Sequence, residues 1–116
     1  MNRERKLSGL LEEVPFKSIH GKKDQKITGI YFDSRSVRQD GAFVAISGTE
    51  SDGHNYISQA TENGARVVFG EKPRGEIDGN PETYVRVEDG RKLLARASHF
   101  FFGRPTKELF VTGITG

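Results

Sequence analysis

Two short polar segments contain the side chains whose types and spacing best suit ligand binding. Asp33, Ser34 and Arg35 directly follow an apolar run and combine a carboxylate, a hydroxyl and a guanidinium, which suit a polar or anionic ligand. Residues 49–54, Thr-Glu-Ser-Asp-Gly-His, follow the next apolar run. If both runs are strands of one open α/β sheet, the two polar segments are expected to open at the same edge and to form a cleft there.

Each segment also has a purely structural interpretation. Asp33 is suited to cap backbone amides in an Asx turn beside a solvated guanidinium. Asp52 and Gly53 are suited to a tight turn, with His54 or Asn55 capping the helix that follows. The sequence alone leaves both interpretations open.

Several kinds of catalytic or metal site are disfavoured. The histidines, His20, His54 and His99, are far apart and lack a second ligand at metal-binding helical spacing, so no zinc site is predicted. The chain has no cysteine, which excludes a thiol nucleophile, and no serine stands in a Gly-x-Ser-x-Gly motif. Residues 113–116 begin like a glycine-rich phosphate loop, but the lysine and Ser/Thr of such a loop are absent. We therefore predict no catalytic residue in this chain.

The elements that must position these side chains follow from apolar periodicity and turn residues. Helices are predicted from Leu7 to Val14, after a cap at Asn55 and after a cap at Asp89, with Gly64 ending the second one. Five strands are predicted: Ile27–Phe32, Ala42–Ile46, Arg66–Phe69, Thr83–Val87 and Leu109–Val111. This alternation predicts a three-layer α/β domain with a mainly parallel or mixed sheet flanked by helices.

Composition limits the class of protein. With 116 residues the chain has the size of one domain, and residues 1–6 are predicted to be a flexible, solvated tail. A net charge of +2, from 18 basic and 16 acidic residues, is too balanced for a nucleic-acid-binding surface. No apolar run approaches the roughly 20 residues of a membrane span, so no membrane partner is predicted. The lack of cysteine is compatible with a reducing compartment.

The polar segments stand within a longer series of motifs. Phe32–Arg35, Gly41–Gly48, Asp52–Ile57 and Gly64–Ala65 resemble, in order and spacing, the start of the Mur ligases. Val111–Gly116 resembles the strand that enters the ATP loop of that family, which continues Thr-Asn-Gly-Lys-Thr in other members. The resemblance covers nearly the whole chain and implies a fold of the Mur ligase N-terminal domain type.

The resemblance implies roles for individual positions. Phe32 and Ser34 match residues that line the site for the UDP end of the substrate. Three further positions are implied to close over the uracil and ribose: Thr49, Glu50 and Ser51. Gly116 matches the first residue of the ATP loop, which is incomplete here. No metal ligand is implied in this chain.

Mur ligases are cytoplasmic enzymes of peptidoglycan synthesis in which ATP, with magnesium, phosphorylates the carboxylate of a UDP-N-acetylmuramoyl-peptide and an amino acid or dipeptide attacks the acyl phosphate. The resemblance implies that residues 7–108 are the UDP-sugar-binding N-terminal domain and that residues 109–116 enter a central ATP-binding domain. Central and C-terminal domains of the same parent chain are then expected to supply ATP, magnesium and catalysis. The chain by itself is expected to hold no cofactor and to be inactive.

Within the family, the Gly-Ile-Thr-Gly ending and the stretch His99–Pro105 favour the ligase that adds lysine or diaminopimelate to UDP-N-acetylmuramoyl-L-alanyl-D-glutamate. The alternatives are the next ligase of the pathway, which adds D-alanyl-D-alanine, and a stand-alone, non-catalytic binding module.

Overall fold

The computed structural model of the chain describes residues 5–46 and 52–102. Within these residues the strands β1 to β7 are Arg5–Lys6, Ser18–His20, Lys26–Ile27, Ile30–Tyr31, Ala42–Val44, Val67–Gly70 and Thr83–Arg86. The helices α1 to α3 are Leu7–Glu13, Ile57–Glu62 and Gly90–Phe102. Short 3-10 helices cover Ser34–Ser36, Gly53–Tyr56 and Arg74–Glu76. No helix of the described segments has the length and apolar character needed to cross a bilayer.

Five strands form one mixed sheet in the order β2-β7-β6-β5-β4. Strands β4 to β7 are parallel to their neighbours, whereas β2 pairs antiparallel with β7. A second, two-stranded sheet joins β1 to β3. The predicted mainly parallel or mixed sheet is therefore confirmed.

The sheet is covered by helices on both faces, as a three-layer α/β domain requires. Alternate residues of β6 point to opposite sides: Val67 and Phe69 belong to the core beneath α1 and α3, and Val68 belongs to the core beneath α2. Strand β5 divides in the same way, which explains why its apolar run is unbroken.

Two predicted helix ends are confirmed by their hydrogen bonds and backbone angles. The Asp89 carboxylate accepts from the amides of Arg91 and Lys92 at 2.9 and 3.2 Å and so caps α3. Gly64 follows α2 with a φ of 118°, a left-handed conformation that glycine adopts without strain. The cap predicted at Asn55 is wrong, because Asp52 caps the 3-10 helix that precedes α2.

Two other predictions are corrected, one for the strand at Ile27–Phe32 and one for Arg5 and Lys6 in the predicted tail. The run Ile27–Phe32 is not one strand: β3 pairs with β1, and after Thr28 and Gly29 the chain changes sheets, so that β4 pairs with β5. The sequence also gave no sign of β2, which has only three residues and forms through its pairing with β7. Arg5 and Lys6, placed in the predicted tail, pair with Ile27 and Lys26 because α1 begins directly after them and packs on the domain core.

Candidate functional site

A cleft of about 1140 Å³ lies where the carboxyl ends of β4 and β5 face the start of α3. Phe32 to Arg35 form one wall directly after β4, and Ile46 follows β5. Tyr56 and Gln59 reach the cleft from the 3-10 helix and α2. Helix α3 supplies the facing wall through four residues: Arg91, Lys92, Leu94 and Ala95. This is the position in which open α/β sheets bind ligands.

The Asp33-Ser34-Arg35 segment is ordered by its own hydrogen bonds. Asp33 Oδ1 accepts from the backbone N–H of Arg35 at 2.9 Å, which starts the 3-10 helix. The Arg35 guanidinium also donates to both carboxylate oxygens of Asp33, at 3.2 and 3.1 Å. These side-chain bonds, together with the backbone bond, hold the pKa of Asp33 below its usual value. The Asx-turn interpretation therefore holds for Asp33, but Arg35 is paired with Asp33 instead of being only solvated.

Ser34 lies at the base of this wall and is 5% exposed. Its hydroxyl donates to Gln59 Oε1 at 2.6 Å, and its backbone carbonyl accepts from Asn63 Nδ2 at 2.9 Å. Both partners are on or directly after α2, so the serine is fixed between β4 and that helix. With its proton committed to Gln59, the Ser34 oxygen keeps its lone pairs for a donor in the cleft.

Two aromatic side chains beside the cleft are unusually accessible. Phe32 is 39% exposed and Tyr56 is 44% exposed, and both line the cleft. Phe16 is also exposed, but it is not among the described residues that line the cleft. The spacing of Tyr56, Ile57 and Ala60 in the sequence predicts that all three share the apolar face of the second helix. That placement is wrong for Tyr56 alone, because it ends the 3-10 helix and lies before the α-helical face begins.

His54 connects the start of α2 to the end of β6. It is 2% exposed, and its Nε2 atom accepts from the backbone N–H of Glu71 at 2.9 Å. Its Nδ1 atom therefore carries the proton and donates to Asp52 Oδ1 at 2.5 Å. Lys72 Nζ lies 3.0 Å from Asp52 Oδ2. His54 is thus a buried structural residue, and no local motif indicates its contact with Glu71.

The carboxylate of Asp52 is held in its charged form. Burial raises the pKa of Asp52, but the hydrogen bonds from the backbone and ring of His54 and from Lys72 outweigh burial and hold the pKa well below the usual range. The side chain also accepts from the backbone N–H of His54 at 2.9 Å. Asp52 and Gly53 therefore form the tight turn that the sequence allowed.

The predicted site residues divide into two groups. Phe32 and Ser34 both line the cleft. The others lie outside the described residues: Thr49, Glu50, Ser51 and Gly116. The strand predicted at Leu109–Val111 and the start of a phosphate loop after it also lie outside the described residues. Within the segments that are described, no group of three His, Asp or Glu side chains is arranged to hold a metal ion.

The cleft also contains residues that sequence reasoning missed, among them Tyr56, Gln59, Arg91 and Lys92. Arg91 and Lys92 are exposed positions in the first turn of α3, far along the chain from Ser34. No motif marks them, and only the packing of α3 against the same end of the sheet brings them to the cleft.

The chain is similar over most of its length to proteins of one known family. The family model described as "Mur ligase family, catalytic domain" matches residues 26–102. The UDP-N-acetylmuramoyl-L-alanyl-D-glutamate–2,6-diaminopimelate ligase of Alkaliphilus metalliredigens is 39% identical over 111 residues, which are 96% of this chain and 22% of the ligase. The ligase of the same name from Geobacter metallireducens is 42% identical over 91 residues, covering 78% of this chain and 17% of the ligase.

Solved structures show the same fold. The crystal structure of MurF from Acinetobacter baumannii superposes with a TM-score of 0.69 at 26% identity, over 83% of this chain and 20% of that protein. The chain thus spans about a fifth of the length of the relatives and structures that it matches over most of its own length.

Proposed function

Because this chain belongs to the Mur ligase family, we propose that its cleft binds the uridine diphosphate end of a UDP-N-acetylmuramoyl-peptide. The observation that carries the proposal is that Phe32 and Ser34, the positions matching the family's UDP site, line one cleft at the carboxyl ends of β4 and β5. The fold of this domain thus supplies a preformed recognition surface for a nucleotide sugar.

The aromatic side chains of the cleft suit the nucleobase. Phe32 and Tyr56 are both exposed beside the cleft, although burial of such rings would ordinarily be favourable. Uracil has a planar π face, and stacking on an aromatic ring is worth roughly 1–3 kcal/mol per base. We propose that Phe32 contacts the uracil, with Tyr56 at the side of the same site.

Ser34 suits a hydrogen-bond donor of the ligand. Its hydroxyl proton is directed to Gln59, so its oxygen is available as an acceptor. A uridine offers such donors at uracil N3 and at the ribose hydroxyls, whereas a phosphate oxygen is only an acceptor. We therefore assign Ser34 to the nucleoside part of the ligand. Thr49, Glu50 and Ser51 remain proposed to close over the same part.

The substrate is proposed from the relatives whose names state it. Identity of 39% over 96% of this chain to a diaminopimelate ligase favours UDP-N-acetylmuramoyl-L-alanyl-D-glutamate as the substrate of the parent protein. A solved structure of a D-alanyl-D-alanyl ligase from Acinetobacter baumannii supports the alternative, a D-alanyl-D-alanine-adding ligase, but its identity to this chain is 33% over 62% of the chain. The higher identity over more of the chain favours the first assignment.

Catalysis is proposed for the parent protein and not for these residues alone. Because the chain covers 22% of the relative's length, ATP, magnesium and the amino-acid substrate are assigned to further domains of a longer chain in the cytoplasm. Residues 7–108 then serve as the UDP-sugar-binding domain, and residues 109–116, with Gly116 starting the ATP loop, lead into the central domain. The role of this chain is recognition of the nucleotide sugar.

The proposal is tested by measuring the Kd for UDP from amide chemical-shift changes in the chain and in two alanine variants. Phe32→Ala is expected to weaken binding about tenfold, through loss of base stacking. Phe16→Ala is the matched control, because Phe16 is 36% exposed but does not line the cleft. Equal effects of the two substitutions, or no shift near Ser34 at millimolar UDP, contradict the proposal.

A further inference from the structure

We propose that Arg91 and Lys92, at the start of α3, form the subsite for the diphosphate of the nucleotide; this inference rests on the proposed UDP-binding function. Both residues line the cleft opposite Ser34 and both are exposed. Neither position belongs to the motifs from which the nucleoside-binding residues were predicted.

Of the charged side chains that line the cleft, Arg91 and Lys92 are the two cations that remain available to bind an anion. Among the described residues, the cleft is lined by one carboxylate, that of Asp33, and by three cations: Arg35, Arg91 and Lys92. The guanidinium of Arg35 is engaged by both oxygens of Asp33, so this pair contributes little net charge. Within the described part of the chain, Arg91 and Lys92 form no salt bridge. They therefore leave a charge of +2, which matches the −2 of a diphosphate diester.

The backbone amides at the start of α3 do not offer an alternative phosphate site. Gly90 N donates to Glu71 Oε2 at 2.7 Å, and the amides of Arg91 and Lys92 donate to Asp89 Oδ1 at 2.9 and 3.2 Å. These carboxylates already occupy the donors that a bound anion would need. Phosphate recognition on this wall therefore falls to the two side chains.

The α3 wall of the cleft is charged at the start of the helix and apolar further along it. Arg91 and Lys92 lie in the first turn, and the next cleft residues, Leu94 and Ala95, are apolar. A ligand that combines a charged diphosphate with less polar parts matches this arrangement. Arg91 also has the planar donor fork that binds two phosphate oxygens at once, whereas Lys92 supplies a point charge.

The test compares the affinities of uridine and UDP for the chain and for an Arg91→Ala/Lys92→Ala variant. The matched control is Arg96→Ala, because Arg96 is an exposed cation on the same helix but does not line the cleft. We expect the double variant to lose tenfold or more in UDP affinity, at unchanged uridine affinity, since charge-assisted hydrogen bonds are lost. The wild-type preference for UDP over uridine is also expected to fall as salt is raised.

The outcomes separate this inference from the proposed function. If the wild-type chain prefers UDP to uridine and the double variant keeps that preference, or if Arg96→Ala reduces UDP affinity equally, the subsite is refuted while nucleotide binding stands. If the wild-type chain binds neither compound, the proposed function fails and the inference with it. If the double variant loses uridine and UDP affinity in the same proportion, the two residues support the cleft as a whole and the diphosphate assignment is wrong.

Discussion

The imidazole Nε2 atom of His54 accepts a hydrogen bond of 2.9 Å from the backbone N–H of Glu71. The bond fixes the neutral tautomer and directs Nδ1–H to Asp52. The Glu71 carboxylate in turn accepts from the backbone N–H of Gly90, the first residue of α3. These bonds connect the 3-10 helix that bears Tyr56 to the helix that bears Arg91, so His54 and Glu71 join two of the elements that line the cleft.

Removal of the His54 ring is expected to destabilise the fold. His54→Ala removes a buried ring and leaves the partly buried Glu71 amide without its acceptor, and we expect the free energy of unfolding to fall by about 2 kcal/mol. His54→Gln retains an acceptor at the end of its side chain and is expected to lose less. Urea unfolding measures both values.

The control for this prediction is His20→Ala, because His20 is an exposed residue at the end of β2. Its effect should stay within about 0.5 kcal/mol. Equal losses for His54→Ala and His20→Ala would show that the His54 ring does not connect the two elements.

The stability of the domain is expected to depend on the ionisation of Asp52. Its pKa in the folded state lies below the ordinary 3.8, so the charged form stabilises the fold above about pH 4. That contribution is lost as the pH falls below 3.8 toward the folded-state pKa. The difference in unfolding free energy between the wild-type chain and Asp52→Asn should therefore shrink from pH 5 to pH 2.

Asp24→Asn is the matched control for acid unfolding, since Asp24 is exposed and forms no salt bridge among the described residues. The difference between this variant and the wild-type chain should change little over the same pH range. A difference for Asp52→Asn that is constant with pH would show that its charge does not contribute to folding.

A side chain at Gly70 is expected to destabilise the fold. A Cβ atom there would overlap the Tyr84 hydroxyl and lie 3.1 Å from His54 Nε2. The hydroxyl cannot move freely, because it donates to the carbonyl of Lys72 at 2.5 Å and its ring is fully buried. Gly70→Ala should lower the free energy of unfolding by about 1–3 kcal/mol, as overpacked substitutions do.

Gly75→Ala provides the comparison, because a Cβ atom at Gly75 would meet nothing within 4 Å. This variant should unfold within about 0.5 kcal/mol of the wild-type chain in the same urea titration. If Gly70→Ala were as stable as Gly75→Ala, the close contact between β6, Tyr84 and His54 would be contradicted.

Most of the fold could be predicted because its elements have strong local patterns. The apolar stripe of α1 and the unbroken apolar run of β5 identify elements that are buried on one side and on both sides, respectively. Strand β2 escaped prediction because its three residues gain their structure from pairing with β7, more than 60 residues later in the chain. Long-range pairing leaves little trace in a local sequence pattern.

The candidate site was predictable on one wall only. Phe32 and Ser34 belong to a motif that directly follows a strand, where α/β sheets place ligands. The spacing of Tyr56 from Ile57 and Ala60 predicts a shared helix face, but α2 begins only at Ile57. Arg91 and Lys92 resemble any exposed charges on a helix. Their relation to Ser34 exists only after α3 packs beside β4 and β5.

The most direct test of nucleotide recognition is an isotope-filtered NOE experiment on the labelled chain with unlabelled UDP. We predict NOEs from uracil H5 and H6 to the ring protons of Phe32, which is 39% exposed beside the cleft. NOEs to Phe16 alone, or no NOE to Phe32 at saturating UDP, would contradict the assignment of this cleft to the uridine end of the substrate.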